Sequence, residues 1–177
     1  MSYKRIMRGL EQLPMQIEAL LNQSEYIRSV AAHLSGYSDL FFLGRWLQLP
    51  IAYEASLKLK EISYLHSEAY PLGELKHGPL SLIDEQVPSV LFMPKDDLWE
   101  KNLSSLQEIK ARSGKILAIS DVPVHGADRQ ISVPTTIPEL SPLLSAIAGQ
   151  LLAYHIADLL HRDIDTPRNL AKSVTVK

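Results

Sequence analysis

Apolar residues recur at helical spacing from about Leu10 to Leu34, with Leu13, Ile17, Leu20 and Leu21 followed by Ile27, Val30 and Leu34. The polar triplet Asn22-Gln23-Ser24 interrupts the run, so the pattern predicts two helices, with Ser24 able to cap the second. Asp39-Leu-Phe-Phe-Leu-Gly44 is a short apolar run ending in glycine, which predicts a strand and a turn. Pro50 suits a first helical position, and a helix is expected from there to about Tyr64. Ser67-Glu-Ala-Tyr70 reads as a brief strand, Gly73 to His77 as a short helix and Ser89-Val-Leu-Phe-Met93 as a buried strand. A helix is expected from Asp97 to Arg112, capped by Asp96 and ended by Gly114. Lys115-Ile-Leu-Ala-Ile-Ser120 and Gln130-Ile-Ser-Val133 complete the strands, and Ser141-Pro142 opens a long apolar helix to about Leu160.

Strands alternating with helices predict an α/β fold, a three-layer sandwich whose mostly parallel five-stranded sheet is covered on both faces. Sheets of this kind bind ligands beyond the carboxyl ends of their strands, which directs attention to the turn after Gly44 and the loop after Tyr70. The stretch from Asp121 to Glu139, with Pro123, Gly126, Pro134 and Pro138, reads as an irregular connection rather than a linker. One domain over residues 1–166 with a C-terminal tail over residues 167–177 fits the pattern best.

Composition narrows the function classes. With 46% hydrophobic and 21% charged residues in 177, the chain reads as an ordinary globular domain, and no apolar run is long enough to span a bilayer. The net charge of −2 gives no electrostatic reason to expect nucleic acid as a partner. Met1 to Arg8 has basic residues but no apolar signal-peptide core follows it. The absence of cysteine rules out disulfides, cysteine metal sites and a thiol nucleophile, and is compatible with the reducing cytoplasm, the expected location.

Glu54, Lys58 and Glu61 stand at i, i+4 and i+7 and so share one face of the helix after Pro50. Such a stripe can be a solvated face, since Glu-Lys pairs at this spacing are common. It can also bring a carboxylate and an ammonium to a cleft, where one moves a proton between adjacent carbons and the other steadies charge on oxygen. His77 precedes Gly78-Pro79, which forces a turn directly after an imidazole suited to acid-base work, although a cap or surface role is equally open. His33, His125, His155 and His161 lack that context and read as structural. No histidine pair has the helical spacing of a zinc motif. Lys172 could form a Schiff base if the tail folds over a pocket, or be merely solvated. Arg168 could clamp a phosphate or anchor the tail on a carboxylate. Gly44-Arg-Trp-Leu-Gln-Leu-Pro50, with one glycine and no Ser or Thr, is a poor phosphate cradle, and Trp46 and Leu47 read as packing or interface residues.

Two motifs carry a resemblance to a known family: Glu-Ala-Ser-Leu-Lys-Leu-Lys-Glu-Ile-Ser-Tyr-Leu-His-Ser-Glu-Ala-Tyr-Pro-Leu-Gly-Glu-Leu-Lys-His-Gly-Pro-Leu from Glu54 to Leu80, and Asn-Leu-Ala-Lys-Ser-Val-Thr-Val-Lys from Asn169 to Lys177. From about Glu11 onward the chain resembles the C-terminal end of the glucosamine-6-phosphate synthases, the glutamine:fructose-6-phosphate aminotransferases. Their isomerase unit has two sugar isomerase (SIS) domains, and this chain looks like the second. The resemblance implies that ammonia and open-chain fructose 6-phosphate form an imine, and that a proton then moves between C1 and C2 to give glucosamine 6-phosphate. It implies no cofactor and no metal. Glu61 would shuttle the proton, with Glu54 and Lys58 supporting charge or relaying protons. Lys172 would hold the substrate carbonyl as a Schiff base, the backbone of Ala171 would touch the sugar, and His77 would open the ring in the neighbouring subunit of a homodimer.

Other parts of that family have no counterpart here. A chain without cysteine cannot contain the glutaminase domain, and no Ser/Thr-rich loop for the sugar phosphate is present, so both that domain and the first SIS domain are implied partners. The resemblance therefore suggests a fragment or expressed domain with little or no activity alone. Gly44 to Gln48 departs from a more polar turn in the family, and Lys177 stands where an acidic residue is expected. A non-catalytic SIS module that senses a phosphosugar, or another SIS sugar-phosphate isomerase or deglycase, is the alternative reading. An exposed apolar face that self-associates or binds a missing half also remains open.

Overall fold

The computed structural model describes residues 3–170. Five helices and five strands alternate through most of it: α1 (Tyr3–Leu21), α2 (Ser24–Leu34), β1 (Asp39–Gly44), α3 (Leu49–Ser63), β2 (His66–Pro71), β3 (Ser89–Phe92), α4 (Trp99–Lys110), β4 (Ile116–Ser120), β5 (Arg129–Ser132) and α5 (Ser141–Leu159). The strands form one sheet in the order β2-β1-β3-β4-β5. Every neighbouring pair is parallel, beginning with Asp39 opposite His66 and Phe41 opposite Ser89.

Alternation along the strands divides the core between the two faces. Leu40, Phe42, Val90, Phe92, Leu117 and Ile119 pack against α2, α3 and α5. Phe41, Leu43, Leu91, Met93 and Ala118 face Leu106 and Ile109 of α4 and Leu72, Leu75 and Ile83 of the connection after β2. The expected three-layer α/β sandwich is therefore present, with all its strand pairs parallel.

Helix α3 is the element that matters for the site. Ala52, Ala55, Ser56, Leu59 and Ser63 are buried and lie on one side of it, opposite Glu54, Lys58 and Glu61 at about 100° per residue. Its seat against α5 depends on Gly149, where a Cβ would come within 2.9 Å of the Ala55 Cβ. Buried Ser56 and Ser67 join their hydroxyls at 2.9 Å, and Ser67 Oγ also donates to the Ser56 carbonyl at 3.0 Å, tying α3 to β2. At about 1.5 Å per residue the helix runs roughly 22 Å, from the carboxyl end of the sheet back to its amino end.

Several local expectations need correction. Helix α1 begins at Tyr3 rather than near Leu10 and continues through Pro14. Pro14 has no N–H to donate to the Leu10 carbonyl, but both residues are exposed, so water can satisfy that oxygen. Ser24 does not cap α2; its hydroxyl pairs with His155 Nε2 at 2.9 Å. Helix α4 starts at Trp99, because Asp96 spends its side chain on a turn, accepting from the Leu98 N–H at 2.8 Å. It ends at Lys110, before Gly114, whose N–H returns to the Ile109 carbonyl at 3.1 Å. The short helix expected from Gly73 is two 3-10 turns, Leu75–His77 and Pro79–Leu82, split by Gly78 at φ 147°.

Candidate functional site

The charged stripe on α3 is assembled as its spacing implied. Lys58 Nζ donates to Glu61 Oε2 at 2.8 Å and stands 3.7 Å from Glu54 Oε1. Hydrogen bonding to Glu61 raises the Lys58 pKa above the usual lysine value; partial burial opposes this, and the charges of Glu61 and Glu54 add to it. The ammonium is thus held charged, which suits it to steady negative charge rather than to act as a nucleophile. Glu61 is the most sheltered of the three, with 29% side-chain exposure against 36% for Lys58 and 43% for Glu54.

Glu61 also lines an open groove of about 510 Å³ with Leu57, Lys60, Tyr64, Leu65, His66, Arg168, Asn169 and Leu170. The last three bring the end of the described chain beside the stripe. Beyond α5, Asp163 accepts from the Thr166 N–H at 2.9 Å and from its hydroxyl, folding the chain back. The Arg168 N–H then donates to Tyr64 Oη at 2.9 Å. Its guanidinium lies 4.2 Å from the Tyr64 ring centroid, and that of Arg162 lies 5.4 Å away. Arg168 thus anchors the start of the tail on an aromatic ring, a contact beyond the phosphate and carboxylate roles left open for it. Lys172 and Ala171 lie outside the described residues.

This groove opens at the amino end of the sheet, beside the first residues of β1 and β2, where His66 Nδ1 pairs with Asp39 Oδ1 at 2.7 Å. The sequence directs attention to the turn after Gly44 and the loop after Tyr70; the stripe starts near that end of the sheet, and Glu61 lies at the opposite one. The turn itself is tight, since a Cβ on Gly44 would meet the Gln48 carbonyl oxygen at 2.3 Å. The crevice between β1 and β3, where strand order reverses, is taken by Arg45. Its Nε donates to Asn102 Oδ1 at 3.1 Å and its other nitrogen to Ser105 Oγ at 3.3 Å, while a Cβ on Gly73 would stand 2.6 Å from the guanidinium. Trp46 at this turn is 58% exposed and so is not a core residue.

His77 is not brought to Glu61. It follows the carboxyl end of β2, is 77% exposed, and among the described residues has Glu74 at 3.6 Å as its ionic partner. His155 is structural, buried against α2 with Nε2 on Ser24. Among the described residues no group of three His, Asp or Glu side chains is placed to hold a metal ion. Sequence reasoning missed Tyr64, Lys60 and His66 as groove residues. A signal existed for Tyr64: the helix ends without the glycine or asparagine that commonly occupies the left-handed position there.

Comparison with known proteins bears on the family and the fold. A glutamine–fructose-6-phosphate aminotransferase (isomerizing) from Thermus thermophilus is 49% identical over 98% of the chain, which spans 30% of that relative's length. The solved C-terminal domain of glucosamine-fructose-6-phosphate aminotransferase from Francisella tularensis superposes with a TM-score of 0.83 at 36% identity, over 94% of this chain and 49% of that one. A glucosamine-6-phosphate deaminase from Thermotoga maritima shares the fold alone, with a TM-score of 0.73 at 22% identity over 99% of this chain and 50% of the other. The SIS domain model matches residues 33–158, from the end of α2 to the end of α5, and with the all-parallel sheet it makes this chain a member of the SIS domain family.

Proposed function

We propose that the chain is the second SIS domain of an isomerizing glutamine–fructose-6-phosphate aminotransferase, acting in the cytoplasm on fructose 6-phosphate and ammonia released from glutamine. The observation that carries this reading is Glu61, held 2.8 Å from a charged Lys58 at the wall of a groove that Arg168, Asn169 and Leu170 also line. The 49% identity to an enzyme of that name supports the choice of substrate.

In this reading Glu61 moves the proton between C1 and C2 of the ring-opened imine, taking it from one carbon and returning it to the next. Lys58 steadies negative charge that develops on the neighbouring oxygen, and Glu54 relays protons or balances the lysine. Before the proton moves, Lys172 condenses with the substrate carbonyl, releasing water, with the Ala171 backbone against the sugar. Ammonia then displaces the lysine amine from this Schiff base to leave the imine on which Glu61 acts. His77, exposed and at the other end of the sheet, acts in the active site of a partner subunit within a homodimer, where it opens the sugar ring. The grip on the phosphate belongs to the first SIS domain; in this chain Arg45, held by Asn102 and Ser105, occupies the crevice where strand order reverses.

The test is conversion between fructose 6-phosphate and glucose 6-phosphate by this chain, alone and mixed with a separately produced first SIS domain. Activity only in the mixture is expected. Activity of the chain alone would contradict the division of labour, and none in a verified complex would favour a phosphosugar-sensing module.

A further inference from the structure

We infer that Tyr64 is a positioning residue, a post at the end of α3 that seats Arg168 and thereby fixes Asn169 and Leu170 beside Glu61; the inference rests on the function proposed above. Tyr64 occupies the C-terminal cap of α3 at φ 65° and ψ 13°, the left-handed region that glycine enters freely and a bulky side chain only under strain. Strain kept at a helix end points to a use for the side chain that glycine could not serve. The use is visible in three contacts on one phenol: the Arg168 N–H on the hydroxyl at 2.9 Å, the Arg168 guanidinium 4.2 Å from the ring centroid, and the Arg162 guanidinium at 5.4 Å. The ring thereby links the last turn of α3, which carries Glu61, to the chain just before Asn169, itself in the left-handed region at φ 61°.

The groove shows why the seat matters. Tyr64, Glu61, Arg168, Asn169 and Leu170 all line it, so a shift of Arg168 displaces Asn169 and Leu170 relative to the carboxylate. Misplacement of a reacting group by about 1 Å can cost roughly 100-fold in rate without weakening binding elsewhere. The Schiff-base role proposed above for Lys172 is what makes that seat matter for turnover.

Replacement by glycine separates a positioning role from a structural one, because glycine relieves the backbone strain while deleting the ring. Tyr64→Gly is expected to keep or raise the melting temperature of the chain. Trypsin cleavage after Arg168 should nevertheless become roughly tenfold faster, since cleavage follows the population of the unseated segment. In the complex with the first SIS domain, kcat should fall roughly 10-fold to 100-fold while KM for fructose 6-phosphate changes little, because the phosphate grip lies in the other domain. Tyr64→Phe, which keeps the ring and loses only the hydroxyl, should restore most of both properties. Unchanged cleavage after Arg168 in Tyr64→Gly, or a lowered melting temperature with unchanged kcat, would overturn the inference. If Glu61→Gln retained full activity the functional reading would fail instead, and the cleavage measurement would still decide whether Tyr64 seats the segment.

Discussion

At the carboxyl end of the sheet, the crevice where strand order reverses is closed by the chain's own Arg45, bonded to Asn102 and Ser105 across α4. At the amino end, the last turns of α3 deliver Glu61 and Tyr64 to an open groove that also receives Arg168 to Leu170. One helix serves both ends, so the doubly wound rule locates where such a sheet can bind, but side chains decide whether it does. In this chain the difference separates an end closed by its own arginine from an end that presents a carboxylate to an open groove.

The largest expected effect breaks the amino end. Glu61→Gln keeps the shape of the side chain and removes the base, so isomerisation in the assembled enzyme should fall roughly 10²-fold to 10⁴-fold with the melting temperature nearly unchanged. At the carboxyl end, Arg45→Ala leaves buried Asn102 and Ser105 short of a donor and should cost about 1–3 kcal/mol in urea unfolding. Its effect on kcat should be small; a loss matching that of Glu61→Gln would show that the two ends are not separable.

The pH dependence of stability sharpens the comparison. Burial lowers the His155 pKa below 6.5, Arg28 adds to this, and Glu25 and Asp158 oppose it. The unfolded chain then binds more protons than the folded one just below pH 6.5, so stability should be full above that value and decline as pH falls through it. Urea unfolding at stepped pH checks this, and His155→Gln should flatten the decline. The smallest effect is expected at the His66–Asp39 pair, with exposures of 69% and 47%. There Asp39→Asn should change stability by about 1 kcal/mol or less, as measured by urea unfolding.

Most of the frame was legible in the chain because its strands are apolar runs and its helices carry clear periodicity. Pro50 and Pro142 mark the starts of α3 and α5, and the spacing of Glu54, Lys58 and Glu61 alone puts them on a shared face. The start of α1 was hidden because its first turns are largely exposed and Pro14 mimics a stop. The seat of the tail was hidden for a different reason: Arg168 and Tyr64 are far apart in sequence, and a cation stacked on a ring has no spacing rule to betray it. The closed crevice likewise depends on Arg45 reaching residues of α4 and passing over Gly73.

The most direct test of the central claim follows deuterium from solvent into C1 and C2 of fructose 6-phosphate and glucose 6-phosphate by NMR, using the complex of this chain with a first SIS domain. The account predicts incorporation by the unaltered chain and none above background with Glu61→Gln. Equal incorporation by both would contradict it and remove Glu61 from the chemistry.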